Sequence, residues 1–258
     1  MIGRKVRNEE NFGKRVTQVK LDEIWGEAQK FKIQQKQNEW FTFLNEIMKL
    51  DEPAKLILEI GCYDGGGTVS FSHLTEELIT IDQGEVTRFD TFGYPEDSTI
   101  KGSEYIRQNC KFTYVSPDSH SVVAFNKVKE ILNGRKLDVL FIDGDHSYTG
   151  AKQDFITYSE LVREGGLIGM HDILRSSFHE QNSCFVHDFW DEIKLKGECT
   201  DIIDDFPIEK TNAEWGGIGL VKVTRGLLET LGINENQPTI ESGGPISDNS
   251  SYLGGVNY

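Results

Sequence analysis

Five short apolar runs, each closing on a glycine, serine or acidic residue, constrain this chain more than anything else in it: LILEIG, LITID, KFTYVS, LDVLFID and GGLIGMHD. Each is long enough for a buried strand and too short for a buried helix. The stretches between them are long enough for crossover helices, most clearly VVAFNKVKEILNG and YTGAKQDFITYSELVREGG. Strands alternating with helices predict a parallel sheet covered on both faces. A further helix, VHDFWDEIKLKG, leads to GGIGLVKVT, which reads as a closing strand. The sequence has no internal repeat of solenoid period.

Flanking these runs, residues Leu21 to Leu50 carry Trp25, Phe31, Trp40, Phe43, Leu44 and Met48 at helical spacing, then Asp51-Glu52-Pro53 breaks the pattern. After Leu231 the chain turns to Asn, Gly, Ser and Pro without periodicity. The expected division is therefore an N-terminal helical extension over 1–50, one α/β domain over 51–228 and a flexible tail over 229–258. The 42 acidic against 27 basic residues give a net charge of −15, which repels phosphate backbones and anionic bilayers. Neither nucleic acid nor membrane is an expected partner, and no window approaches the ~20 apolar residues of a membrane span. Four cysteines (Cys62, Cys110, Cys184, Cys199) lie scattered without a C-x-x-C pair, and the start has no apolar stretch behind its basic residues. A cytoplasmic compartment is expected.

In an open parallel sheet, ligands sit beyond the carboxyl ends of the strands. The first run leads into a glycine-rich turn, Glu59-Ile60-Gly61-Cys62-Tyr63-Asp64-Gly65-Gly66-Gly67-Thr68. Glu59, Gly61, Tyr63, Gly65 and Thr68 are its candidate cofactor contacts. Tyr63 stands where G-x-G-x-x-G has its second glycine, so this is not the dinucleotide fingerprint. The second run ends at Asp82, twenty-one positions past Gly61, where a carboxylate can accept from both hydroxyls of a ribose. Asp118 and Ser119 follow the third run, where Asp118 reads equally as a ligand contact and as an N-cap of the next helix. The fourth and fifth runs deliver Asp143, Asp145, His146, His171 and Asp172 to one region. Burying these together costs several kcal/mol unless a cation or hydrogen bonds compensate. An oxygen-rich donor set with imidazole suits magnesium or manganese.

Glu59 and Asp82 together resemble the first two motifs of class I S-adenosylmethionine-dependent methyltransferases. The string IDGDHSYTGAKQDFITYSELVREGGLIGMHDI resembles a bacterial methyltransferase family related to catechol O-methyltransferases, macrocin O-methyltransferases and cephalosporin-hydroxylase-like proteins. The resemblance spans roughly Leu56 to Val223, and Trp215-Gly216-Gly217-Ile218-Gly219 is similar to the family's terminal strand. It implies a single Rossmann-like doubly wound α/β sheet, mostly parallel with an antiparallel closing strand and helices on both faces. It further implies that Glu59 acts through the loop, Asp82 binds the ribose, and Asp118 and Ser119 meet the adenine edge. Asp143 and Asp172 match metal-ligand positions, and Asp143 also matches the residue that faces the amino group of the methionine moiety. His146 matches the general base of the macrocin relatives. His171 departs from the pattern, since relatives with a metal carry a carboxylate there; it joins Asp143 and Asp172 as a candidate ligand.

The implied activity is methyl transfer from S-adenosylmethionine to a hydroxyl of a small molecule, a sugar or secondary metabolite, assisted by Mg2+ or another divalent cation. Such a transfer needs alignment of donor and acceptor, exclusion of water and a proton acceptor. The relatives imply a homo-oligomer. Two other readings use the same sheet: a nicotinamide-dependent oxidoreductase, against which Tyr63 speaks, and a non-catalytic cofactor-binding protein, against which the acid and histidine cluster speaks.

Overall fold

The computed structural model describes residues 18–84, 86–91, 101–116, 118–204 and 214–231. The elements run α1 (Gln18–Lys30), α2 (Gln37–Met48), β1 (Leu56–Ile60), α3 (Gly66–Ser72), β2 (Glu77–Ile81), α4 (Arg88–Thr91), α5 (Gly102–Ile106), β3 (Lys111–Val115), α6 (Val122–Leu132) and β4 (Leu137–Ile142). They continue through α7 (Tyr148–Ser159), β5 (Val162–His171), α8 (Ser177–Gln181), α9 (Val186–Lys194), β6 (Cys199–Ile202), β7 (Ile218–Lys222) and α10 (Arg225–Thr230). All five apolar runs are strands, and the closing strand is β7. Most of the tail expected over 229–258 lies outside the described residues.

The strands form one sheet of order β3-β2-β1-β4-β5-β7-β6. The pairs β1/β2, β2/β3, β1/β4 and β4/β5 are parallel, and β7 runs antiparallel to both β5 and β6. This is the doubly wound, mostly parallel α/β sheet that the alternation predicts. The strand order reverses between β1 and β4, and a sheet of this kind opens its crevice at such a switch point.

Alternation of side chains along the strands feeds two cores, one on each face. Leu56, Leu58, Ile60, Leu140 and Ile142 pack with Phe125, Phe155, Tyr158, Phe189 and Trp190 from α6, α7 and α9. Ile57, Val139 and Phe141 pack with Trp40, Phe43 and Phe71 from α2 and α3. Leu21, Ile24 and Ala28 of α1 join this second core, so the leading helices cover the sheet rather than hang from it. Phe43 lies so close over β5 that a Cβ on Gly169 would come within 2.6 Å of its ring. Trp190 presses on β7 at Gly219 in the same way and donates its indole N–H to Asp201 at 2.7 Å.

Two details depart from the reading of the sequence. The segment VREGG is not the end of a helix: β5 begins at Val162, with Gly165 at φ +77° and a shift of register against β4 between Leu137 and Val139. The edge strand β6 carries no apolar run, since three of its four residues are at least partly exposed. Among the described residues no helix is long and apolar enough to cross a membrane.

Candidate active site

The crevice opens where β1 and β4 part, and its floor is made by two backbone contacts. Gly61 N–H donates to Ile81 O and Asp143 N–H to Ile60 O, each at 2.8 Å. Gly61 sits at φ +82°, and a Cβ there would lie 2.0 Å from Asp143 O. Glycine is thus required for the first turn to lie flat against the end of β4. Asp82, at the tip of β2, fixes the same turn: its Oδ2 accepts from Cys62 N–H at 2.8 Å and Tyr63 N–H at 3.0 Å. Tyr63 itself is left-handed, φ +45°, with the Arg88 guanidinium 4.4 Å from its ring centre.

Glu59 and Thr68 are fully buried and face each other beneath the glycine turn. Thr68 and Thr80 donate their hydroxyls to Glu59 Oε2 at 2.6 and 3.0 Å. Burial pushes the Glu59 carboxyl up to about 8, against the pull of these two donors. It therefore stands mainly neutral at pH 7 and acts as a buried clamp between β1, β2 and α3. Gly65 is the N-cap of α3 at φ +96°.

At the end of β3, Asp118 Oδ1 accepts from His120 N–H at 2.9 Å, making a turn one step ahead of α6. The residue that caps α6 is Ser121, which accepts from Ala124 N–H, so Asp118 is not its N-cap. The Ser119 carbonyl takes the Tyr158 hydroxyl at 2.8 Å. The polar side chain between them that sequence reasoning passed over is His120. Its Nε2 lies 3.3 Å from Oδ1 of Asp154, a wholly buried carboxylate on α7. Burial opposes protonation of His120, but the Asp154 carboxylate overrides it and brings the ring to about 9.

The tips of β4 and β5 hold the predicted cluster, and the structure brings four of its five members together. Asp143 Oδ1 is 3.2 Å from His171 Nδ1 and 3.3 Å from His146 Nε2. Asp172 completes the ring, its Oδ2 3.3 Å from His146 Nδ1 and its Oδ1 3.4 Å from His171 Nδ1. Asp145 stays out: it is exposed and accepts from Ser147 N–H at the start of α7. Two further residues join. Gln35, between α1 and α2, donates its amide to Asp143 Oδ2 at 2.7 Å, and His179 of α8 sets Nε2 3.2 Å from Asp172 Oδ1.

Charge is unevenly held in this ring. Burial would raise both carboxyls, yet the facing imidazoles keep Asp143 and Asp172 below the ordinary carboxylate range. Burial likewise disfavours imidazolium, but the two carboxylates lift His146 to about 9 and His171 to about 10. Asp172 sits in the left-handed region at φ +63°, a strained position for a residue with a side chain.

Asp143, His171 and Asp172 each offer one ligand atom, and these atoms lie within 4.8 Å of one another. Ligands about 2.1 Å from a magnesium-sized ion and at right angles lie about 3 Å apart, close to the spacings of His171 Nδ1 from the two carboxylates. Asp172 Oδ1 is buried with imidazole nitrogens of His179 and His171 at 3.2 and 3.4 Å, neither aligned to hydrogen-bond it, and a cation would satisfy it. The donor set fits a hard divalent cation that displaces the His171 proton, since only the neutral imidazole can ligate. His146, Asp172 and Cys184 form a second such group, whose thiol is pushed up by burial.

A hollow of about 720 Å³ lies at the opposite, amino ends of the strands, lined by Lys55, Glu77, Lys111, Arg135, Asp138 and Arg163 among others. Its charges pair with each other, as in Lys111 and Arg135 on Glu77 and Arg163 on Asp138. It offers no convergent unpaired group and is not the candidate site.

Residues 58–173 match the sequence model of a family described as a methyltransferase domain. No curated protein is significantly similar to the chain. Among solved structures, an O-methyltransferase from Bacillus cereus in complex with SAH is 16% identical, covers 81% of this chain and 92% of its own, and has a TM-score of 0.47. The N-methyltransferase NodS from Bradyrhizobium japonicum is 10% identical, with 71% and 96% covered and a TM-score of 0.49. An rRNA methylase from Streptococcus thermophilus is 11% identical, with 71% and 93% covered and a TM-score of 0.48.

Proposed function

We propose that this chain, whose residues 58–173 match a methyltransferase-domain family, is a class I methyltransferase that moves the methyl group of S-adenosylmethionine onto a hydroxyl oxygen of a small molecule. The observation that carries this reading is the ring of Asp143, His146, His171 and Asp172 at the tips of β4 and β5, beside the glycine turn. Adenosine lies across the tips of β1, β2 and β3, with Asp82 on the ribose and the segment of Asp118 and Ser119 at the adenine edge. Gly61 and its neighbours give the backbone room to approach the methionine moiety, whose amino group meets Asp143. A net charge of −15 favours a small acceptor over a nucleic acid.

Transfer is an in-line displacement: the acceptor oxygen forms a bond to the methyl carbon as the carbon–sulfur bond breaks, and the sulfonium leaves as a neutral thioether. The hydroxyl proton goes to His146 in its neutral form, which the positive charge of the bound methyl donor beside Asp143 favours by offsetting the carboxylates that otherwise hold the ring protonated; His146 is 36% exposed and so reachable from the crevice, whereas His171 is 4% exposed. Asp143 and Asp172, on either side of the His146 ring, stabilise the imidazolium that forms. Asp143, His171 and Asp172 would hold a divalent cation. Such an ion, when bound, lowers the pKa of an oxygen it meets and fixes its direction.

The test is transfer of labelled methyl from S-adenosylmethionine to a panel of small hydroxyl compounds, each paired with its methyl ether. Hydroxyl members accept label and ethers do not. His146→Ala lowers turnover by roughly 10²–10⁴-fold while S-adenosylhomocysteine binds as before. Turnover that survives this substitution removes His146 from the base role, and label on amines alone rejects the oxygen acceptor.

A further inference from the structure

The ring of acids and histidines is completed by a residue from outside the matched methyltransferase segment. Gln35 precedes β1 and is 108 positions from Asp143, yet it is 8% exposed and its Nε2 donates to Asp143 Oδ2 at 2.7 Å. The segment that carries it is tied down on both sides of the crevice. On one side Ile33 lies against the glycine turn, so close that a Cβ on Gly66 would come within 2.3 Å of Ile33 Cα. On the other, the buried Glu39 carboxylate accepts from Gly217 N–H at 3.0 Å, beside β7, and from Asp204 N–H at 2.9 Å. Trp40 adds an indole hydrogen bond to Ser70 of α3 at 3.1 Å. The glutamine is therefore held in place rather than offered by a loose loop.

The chemistry of the contact is selective. Asp143 has two oxygens, and both imidazoles crowd Oδ1. A lysine or arginine at position 35 would cancel the carboxylate's charge, and an apolar side chain would leave Oδ2 buried without a donor. A neutral amide donor fixes the carboxylate plane and leaves its full charge in place.

We propose that Gln35 is a positioning residue of the methyl-transfer site: it pins Asp143 Oδ2, so that Oδ1 is the oxygen presented to the histidines, to a divalent cation and to the ammonium group of S-adenosylmethionine. This rests on the reading given under Proposed function. A strap that precedes the methyltransferase domain thus sets the geometry of the domain's central acid.

Gln35→Met keeps the length of the side chain and removes the donor; Gln35→Leu serves if the methionine variant does not fold. The probes are S-adenosylhomocysteine, followed by calorimetry, and Mn2+, followed by the paramagnetic resonance of the free ion. The variant is expected to fold with a somewhat lowered Tm, because Asp143 Oδ2 loses its buried donor, to bind Mn2+ roughly 10- to 100-fold more weakly, and to bind S-adenosylhomocysteine several-fold more weakly. A folded variant with both affinities unchanged overturns the assignment. So does a lowered Tm with unchanged affinities, which reduces Gln35 to a packing role. Failure of the wild-type protein to bind S-adenosylhomocysteine is a different result: it rejects the methyl-donor reading itself, and the role of Gln35 falls with it.

Discussion

Asp82→Ala is expected to weaken S-adenosylhomocysteine binding by at least about 100-fold. Two losses add. Cys62 and Tyr63 lose the acceptor that holds their N–H groups at 2.8 and 3.0 Å, and an unsatisfied buried donor costs about 1–3 kcal/mol. In the proposed complex the ribose would lose hydrogen bonds to a charged partner, at about 1.5–3 kcal/mol each. Together these exceed the roughly 2.7 kcal/mol that corresponds to a factor of 100. Asp82→Asn keeps a carbonyl oxygen for the turn and separates the two losses, so it is expected to fall between alanine and wild type. Calorimetry reads both variants, and an Asp82→Ala protein that binds as tightly as wild type takes Asp82 out of the site.

Gly61→Ala is the second large effect, and it falls on stability. The added methyl would lie 2.0 Å from the Asp143 carbonyl oxygen, a backbone atom that can move only by parting β1 from β4. The left-handed φ of +82° adds its own cost, about 1–2 kcal/mol for a residue with a Cβ. A loss of more than about 4 kcal/mol is expected, a large part of the 5–15 kcal/mol typical of a domain. Gly134→Ala is the control: φ there is +81° but no atom lies within 4 Å of the added Cβ. Urea unfolding of the pair isolates the close approach. Equal losses in the two variants mean that the strand tips are not packed as described.

The parts of this site that could be read from sequence are those whose signals are local. A strand that ends in Asp82 or Asp143 declares both the apolar run and the acid at its tip, and the order of the runs implies which tips adjoin. Asp145 shows the limit of that logic, because it shares the string with Asp143 and His146 yet lies in the open, accepting from Ser147 N–H ahead of α7. Glu59 and Thr68 were placed at the right turn, but only packing shows that they face each other beneath it. Gln35 carries no local mark, and His179 stands with His187 and Trp190 in a segment whose residue types suit an acceptor-pocket wall without showing which of them turns inward. Their roles come from where α1, α2 and α8 settle on the sheet, contacts made across long stretches of chain. The pair of His120 and Asp154 was missed for a related reason: a carboxylate in the middle of a helix reads as a solvated face, whereas Asp154 is fully buried. Edge strand β6 lacks the apolar run that revealed its neighbours.

The central claim is that the tips of β1, β2 and β4 converge on one crevice that grips the methyl donor beside the acid and histidine ring. Crystals grown with S-adenosylhomocysteine and magnesium test it most directly. The account predicts ligand density with the ribose against Asp82, the glycine turn under the methionine moiety and the sulfur facing Asp143 and His146. Density for the ligand in the hollow at the amino ends of the strands, with the β1/β4 crevice left empty, would contradict it.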